Sequence, residues 1–378
     1  MATLTSTAIV ARKTIKYGIF LILFLIIGRI FLDAGIKIYK KVFPTPTPAP
    51  TVKFGRLTPI PFPKNGVTAN IIYTLETPDG GLPTDIPTQA KVYFMPKTSA
   101  NLLSLDAAKS KASALGFSAN VQQASETVYK FTNRNYPSTL QMNIITSTFS
   151  ISYDLIADES PINAKPPVAE VATSNFKSFL EDANMLPIDL TGPTTHDFLK
   201  ISNGELTSAI SLSEANFVKI NLFRKDYDNL PSMTGNPNQG NVWAIISGSR
   251  NQAQQIIASE YHYHAVDESQ FSTYPIKTPT DAFAELQSGG GFIASLGLNK
   301  DGDTLKIRRV HLAYFDPDAD TEYFQPIYVF EGDNGFLAYL PAVTADYYQA
   351  AATPTPVATP MMTPEPATPS ATPTATDN

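Results

Sequence analysis

The chain has 378 residues, a net charge of -6 at pH 7, 43% hydrophobic residues and no cysteine. The absence of cysteine excludes disulfides, zinc–thiolate sites, iron–sulfur clusters and cysteine nucleophiles. Nucleic acid is not expected as a partner, because phosphate binding needs a basic stripe and the 28 Lys and Arg residues are scattered along the chain.

An apolar segment near the N-terminus predicts a single membrane-spanning helix over residues 17–36. Twenty helical residues rise about 30 Å, which matches the hydrocarbon core of a bilayer. Arg29 and Asp33 interrupt the segment, but they lie one helical turn apart, where they can pair and snorkel. The residues predicted to form the anchor are Tyr17, Ile19, Phe20, Leu23, Phe24, Ile27, Arg29 and Asp33.

A cleaved signal peptide is the alternative for this segment, since basic residues precede the apolar run. No convincing A-x-A cleavage site follows Phe31, which favours an uncleaved anchor. A buried core helix is a further alternative, although no neighbouring segment offers it a match. Because everything foldable follows the span, we predict a short cytoplasmic N-terminus at 1–16 and a cell-membrane protein whose C-terminal domain is extracytoplasmic.

Two proline-rich segments flank the foldable part of the chain. Residues 37–66 include FPTPTPAP and predict a semi-rigid linker, because proline fixes φ and biases its neighbour to extended geometry. Residues 349–378 are rich in Thr, Pro and Ala and predict a disordered tail. The foldable part therefore lies between residues 67 and 348.

Within that part, an amphipathic helix followed by strand-like runs is predicted three times. The three helix signals are SLDAAKSKASALGF, PPVAEVATSNFKSFLEDANML and TPTDAFAELQSGGGF. The first unit predicts an α+β subdomain at 67–160, and the other two predict a second α+β region at 161–348. The expected fold class is α+β, with antiparallel sheets and helices on one sheet face.

The unit of a short helix, an LGF-type turn and two strands resembles the PepSY-like unit. The closing segment, from YPIKTPTDAFAELQSGGGFI through IRRVHLAYFDP to YFQPIYVFEGDNGFLAYLPAV, is similar to the end of YycH/YycI-type proteins. The resemblance covers roughly Ser104 to Val343. It implies a single-pass, extracytoplasmic regulator that binds a membrane sensor kinase and has no catalytic residues. The proline-rich flanks depart from that pattern.

One motif, EYHYHAVDES, contains candidate metal ligands. His262 and His264 are two residues apart and would share one face of a strand with Glu260, a set that could bind zinc. In the alternative, Tyr261 and Tyr263 form the buried face and the histidines are solvated. We favour the alternative and predict no cofactor.

Three other motifs that suggest chemistry are better explained as local structure. DPDADTE at 316–322 lacks the glycine and glutamate of an EF-hand, since Thr321 and Ile327 occupy those positions, and predicts a turn. SGGGF at 288–292 follows a helix, whereas a phosphate loop precedes one, so it predicts a helix end. No G-x-S-x-G nucleophile elbow is present.

These observations predict a membrane-anchored, envelope-facing binding or regulatory domain that is not an enzyme. Its expected partners are the membrane, through residues 17–36, and a protein or cell-wall component contacted by sheet edges or by aromatics near Trp243 or Tyr323 to Phe330. An envelope hydrolase, metal-assisted through His262 and His264, is one alternative. A passive surface stalk is the other.

Overall fold

The computed structural model describes residues 4–42, 48–64, 71–117 and 119–349. The chain forms two compact units, Met1–Thr51 and Val52–Asn378. The first unit contains helix α1, Leu4–Val42. The proline-rich linker predicted at 37–66 is described only in part, and residues 350–378 of the predicted tail lie outside the described residues.

The prediction of a membrane-spanning helix over residues 17–36 is wrong. Among the residues described, no helix is both long enough and apolar enough to cross a membrane. The continuous run of described side chains in α1, residues 16–33, contains Lys16, Arg29 and Asp33. Each such charge opposes insertion by roughly 2.5 to 3.5 kcal/mol at a helix centre. The predicted anchor residues, from Tyr17 to Asp33, therefore lie in a long helix that carries charge within its apolar run.

The second unit consists mostly of β-strands, so the predicted α+β, PepSY-like and YycH-like fold is also wrong. Within the described part of this unit, the α-helices are α2 Ser104–Ala114, α3 Ala169–Asp182 and α4 Pro279–Gln287. Its strands are β1 Ile72–Leu75, β2 Gln89–Phe94, β3 Ala119–Gln123, β4 Val128–Thr132, β5 Ser138–Asn143, β6 Phe149–Tyr153, β7 Thr194–Ser202, β8 Glu205–Ser208, β9 Phe217–Leu222, β10 Ser232–Thr234, β11 Val242–Ile246, β12 Ile256–Tyr261, β13 Asp267–Pro275, β14 Phe292–Ser295, β15 Thr304–Asp316, β16 Tyr323–Phe324, β17 Pro326–Gly332 and β18 Leu337–Pro341.

The observed fold class differs from the predicted one because of the segments between the helices. The three predicted helices are present, but the stretch from α3 to α4 supplies seven strands instead of two. Runs such as VWAII in β11 and IIASEY in β12 are rich in β-branched and aromatic residues, which fit a pleated, buried surface. They pair with strands far away in the chain as well as with each other.

The largest sheet has nine strands in the order β3-β4-β5-β6-β12-β11-β9-β7-β8, and all its pairings are antiparallel. Helices α2 and α3 cover one face of it. Their buried residues, including Ala112, Phe176 and Leu180, share one core with Phe149 and Ile220 from the strands. Burial of these apolar groups is the main stabilisation of this layer.

A second sheet runs β1-β15-β17-β18-β14, and β10 pairs with β15 outside that path. Helix α4 packs on it through Ala282 and Leu286, which share a core with Tyr328 and Phe330. Thr278 caps α4, because its hydroxyl accepts a hydrogen bond from the Asp281 N–H at 3.1 Å. A third sheet has three strands in the order β13-β2-β16.

A buried ionic cluster joins the nine-stranded and six-stranded sheets. Arg224, just after β9, donates to Asp189 at 2.6 Å and to Asp316, the last residue of β15, at 2.6 Å. It also donates to the carbonyl oxygen of His264. The side chain of Arg224 is only 1% exposed, so the three charges are removed from water together. This cluster fixes how the two sheets meet.

Candidate functional site

A cleft of about 400 Å³ opens beside this junction, and we call it the junction cleft. We call its polar lining residues the polar wall and its apolar lining residues the apolar wall. The polar wall contains Asn236, Gln239, Asn241, Glu260, His262 and Asp318. The apolar wall contains Pro63, Phe292, Ile293 and Ala294. A cleft with an apolar wall and several convergent polar groups is typical of a ligand-binding site.

The loop from β10 to β11, residues 235–241, carries half of the polar wall. The Thr234 hydroxyl lies 2.6 Å from the Asn236 carbonyl oxygen and 2.8 Å from that of Gln239, which holds the loop in a tight turn. Asn241 donates through Nδ2 to the Asp316 carbonyl oxygen at 2.9 Å, so the loop is tied to the ionic junction. At Gly240 a Cβ would lie 2.5 Å from the Leu222 carbonyl oxygen, so only glycine fits. The amide groups are therefore presented by a braced loop.

Trp243, the one tryptophan of the chain, lies beside the cleft on β11. Its indole Nε1 donates to Oε2 of Glu260 at 3.1 Å. Lys219 Nζ lies 4.6 Å from the centroid of the tryptophan ring and donates to Gln239 Oε1 at 2.7 Å. Burial lowers the pKa of Lys219, while the carboxylates of Asp197 and Glu260 act in the opposite direction. These contacts connect the tryptophan directly to Glu260 and, through Lys219, to Gln239 of the cleft.

Trp243 and Glu260 belong to a row of side chains that crosses seven strands of the nine-stranded sheet. Residues directly opposite each other in antiparallel strands share one face. The row consists of Lys130, Gln141, Ser150, Glu260, Trp243, Asn221 and Thr195. Its neighbours along the strands, such as Val242 and Tyr261, belong to the core under α2 and α3. The row therefore lies on the helix-free face and extends about 29 Å, at about 4.8 Å per strand.

Asn221 has a buried acceptor in this row. Its Nδ2 donates to Thr195 Oγ1 at 3.1 Å, but its Oδ1 is buried without a hydrogen-bond partner. A buried acceptor left unpaired costs roughly 1 to 3 kcal/mol. Such a cost beside Trp243 is typical of a position where a buried water completes the hydrogen bonding.

The candidate metal ligands do not come together. His262 lines the junction cleft, with Nε2 3.9 Å from Glu260 Oε2. The His264 side chain lines a different cavity, and its Nδ1 lies 3.8 Å from Asp320 Oδ1. Burial lowers the pKa of His264. Within the described ranges, no three His, Asp or Glu side chains are placed to hold a metal ion.

The other predicted surfaces have mixed outcomes. Trp243 is half-buried and adjoins the cleft, whereas residues from Tyr323 to Phe330 are mainly core, with Phe324 and Phe330 fully buried. The sequence did not single out Asn236, Gln239 or Lys219. The only available signal was the turn-rich run NPNQGN at 236–241, and it does not reveal which strands lie beside it.

Comparison with known proteins adds no functional assignment. No family model matches the chain, and no curated protein matches it. One solved structure that is similar in part is the 1.45 Å crystal structure of an uncharacterized protein from Eubacterium rectale ATCC 33656. It is 13% identical, the match covers 70% of this chain and 86% of that chain, and the TM-score is 0.37. The proposed resemblance to extracytoplasmic kinase regulators stays a prediction.

Proposed function

We propose that the second unit binds an oligosaccharide of the cell-wall class in the junction cleft, and that the cleft binds this ligand without acting on it as an enzyme. The ligand lies in the junction cleft and extends along the polar row of the nine-stranded sheet. A sugar ring has an apolar face and an edge of hydroxyl groups. The cleft offers both kinds of contact, because its lining includes Pro63 and Phe292 as well as amide and carboxylate groups.

The observation that carries the proposal is the arrangement around Trp243. An indole ring provides a large apolar surface with one polar edge. Here that edge is already bonded to Glu260, so the carboxylate is oriented in the cleft. Asn236, Gln239 and Asn241 add side-chain amides, which both donate and accept hydrogen bonds, as sugar hydroxyls require. No reaction of the ligand is needed to explain these groups.

A protein ligand is the competing possibility, because a sheet face with an aromatic residue also suits peptides. Polar side chains across seven strands favour the sugar, since a protein interface concentrates apolar and aromatic groups at its centre. In this row Trp243 is the only aromatic residue.

Titration of the full chain with soluble N-acetylated chito-oligosaccharides, followed by tryptophan fluorescence, tests the proposal. Because the chain has one tryptophan, any shift reports on Trp243 alone. We expect saturable binding, weakened about tenfold or more by Glu260→Gln, since a hydrogen bond to a charged group contributes roughly 1.5 to 3 kcal/mol. Glu205→Gln, an exposed position on edge strand β8, is the matched control and should leave the affinity unchanged.

Two outcomes of the same titration would contradict the proposal. If the Glu260→Gln and Glu205→Gln variants bind the sugar with equal affinity, the ligand does not bind in the junction cleft. A saturable response to a synthetic peptide library, with none to the sugars, would replace the oligosaccharide with a protein ligand.

A further inference from the structure

A second cavity of about 250 Å³ lies away from the junction cleft. It is bounded by α2, by the turn between β5 and β6, and by the segment that follows β12. Lys111 from α2 and Ser147 from the turn both line it. Lys111 Nζ donates to Ser147 Oγ at 2.7 Å, so a hydroxyl and an amine meet directly at the cavity wall.

The turn holds Ser147 in an unusual backbone conformation. Its φ is +62°, in the left-handed region that a side chain other than Asn or Asp seldom adopts. Asn143 enforces this geometry: its carbonyl accepts the Ser147 N–H at 2.9 Å, and its side chain accepts from Ile145 N at 2.9 Å. A serine held in a strained turn at a cavity wall is a common feature of functional sites.

Lys111, like Lys219, is hydrogen-bonded to an uncharged side chain and belongs to none of the described ion pairs. Burial alone lowers the pKa of Lys111. A half-buried amine is more easily deprotonated than an exposed lysine, which is the property of a lysine general base.

We propose that Ser147 is a nucleophile and Lys111 its general base, giving the chain an activity on small carboxylic esters that is separate from ligand binding. Ser147 Oγ attacks the ester carbonyl carbon while Lys111 Nζ takes the hydroxyl proton. The tetrahedral intermediate collapses, the alkoxide leaves and receives that proton from Lys111, and an acyl-serine remains. Water then attacks the acyl-serine with Lys111 again as base, releasing the carboxylic acid and restoring Ser147.

The cavity limits the substrate. About 250 Å³ accommodates a short acyl group. Asn184, which is exposed, also lines the cavity and offers a side-chain amide donor for the carbonyl oxygen.

Labelling of the full chain with an alkyl fluorophosphonate, mapped by peptide mass spectrometry, tests the proposal. Serine displaces fluoride from phosphorus in this reaction, and the serine proton passes to the base. We expect an adduct on Ser147 that forms faster as the pH rises, with a midpoint below the ordinary lysine value of about 10.4. Ser147→Gly should abolish the adduct and keep the fold, because glycine accepts a positive φ.

Lys111→Arg is the decisive variant, since arginine keeps the charge and a hydrogen bond but does not deprotonate. We expect the labelling rate to fall about 100-fold or more. Ser152→Ala, an exposed serine on neighbouring strand β6, should label at the wild-type rate. The proposal is overturned if Ser147 carries no adduct, or if Lys111→Arg labels as fast as the wild type.

Discussion

At the scale of single residues, the ionic junction is the most consequential feature. Arg224 is bonded to Asp189 and Asp316 at 2.6 Å each, and Tyr227 and Tyr263 donate to Asp189 at 2.8 Å each. Burial raises the pKa of Asp316, whereas the charge of Arg224 acts in the opposite direction. The Arg224 guanidinium donates to Asp316 at 2.6 Å, and such a charge-assisted hydrogen bond favours the ionised form of that carboxylate.

Removal of the guanidinium should therefore be costly. Arg224→Met leaves two buried carboxylates without a counter-charge, and breaking a buried pair in this way costs about 3 to 5 kcal/mol. Urea unfolding followed by circular dichroism measures the loss. Arg309→Met is the matched control, since the Arg309 side chain is 66% exposed, and its expected effect is within about 0.5 kcal/mol. A loss of similar size in both variants would contradict the structural role given to Arg224.

At the scale of elements, helix α3 shows how a local pattern becomes tertiary structure. Ala172, Phe176 and Leu180 are spaced by four residues and are fully buried, whereas Val171 on another side of the helix is 47% exposed. The buried stripe packs on β9 and β11, the strands that carry the polar row on their opposite face. Packing of α3 thus supports the two strands whose opposite face carries Trp243.

Truncation of that stripe should destabilise the second unit. Phe176→Ala is expected to cost about 3 to 5 kcal/mol, because a buried phenyl group is lost and a cavity remains. Val171→Ala on the same helix should cost far less, since half of its side chain is already in water. Thermal unfolding of the two variants beside the wild type makes the comparison, and equal shifts in Tm would show that α3 is not packed as described.

Elements of this kind are where sequence reasoning succeeded. The helices at Ser104, Ala169 and Pro279 follow from apolar spacing. The strands between α3 and α4 could not be predicted from apolar spacing in the same way. Whether VWAII becomes a central strand depends on pairing with β9 and β12, which no local window contains.

At the scale of the whole molecule, the candidate site is a product of topology. The junction cleft brings together Pro63, the loop at 235–241, Glu260, Phe292 and Asp318, which are far apart in the chain. Sequence reasoning named Trp243 and Glu260 but not their neighbours, because only the sheet order β12-β11-β9 places Lys219 and Asn221 beside them. It also placed His262 and His264 on one face, whereas β12 ends at Tyr261 and the two side chains then diverge.

Hydrogen exchange of the full chain, followed by mass spectrometry with and without saturating N-acetylated chito-oligosaccharide, shows whether the ligand binds in the junction cleft. We expect added protection in peptides that cover the loop at 235–241, the segment from Glu260 to His262, and β14. Peptides from α4 and from edge strand β8 should be unchanged. Protection confined to other regions, or no protection at a sugar concentration that saturates the tryptophan signal, would contradict the assignment of the junction cleft as the binding site.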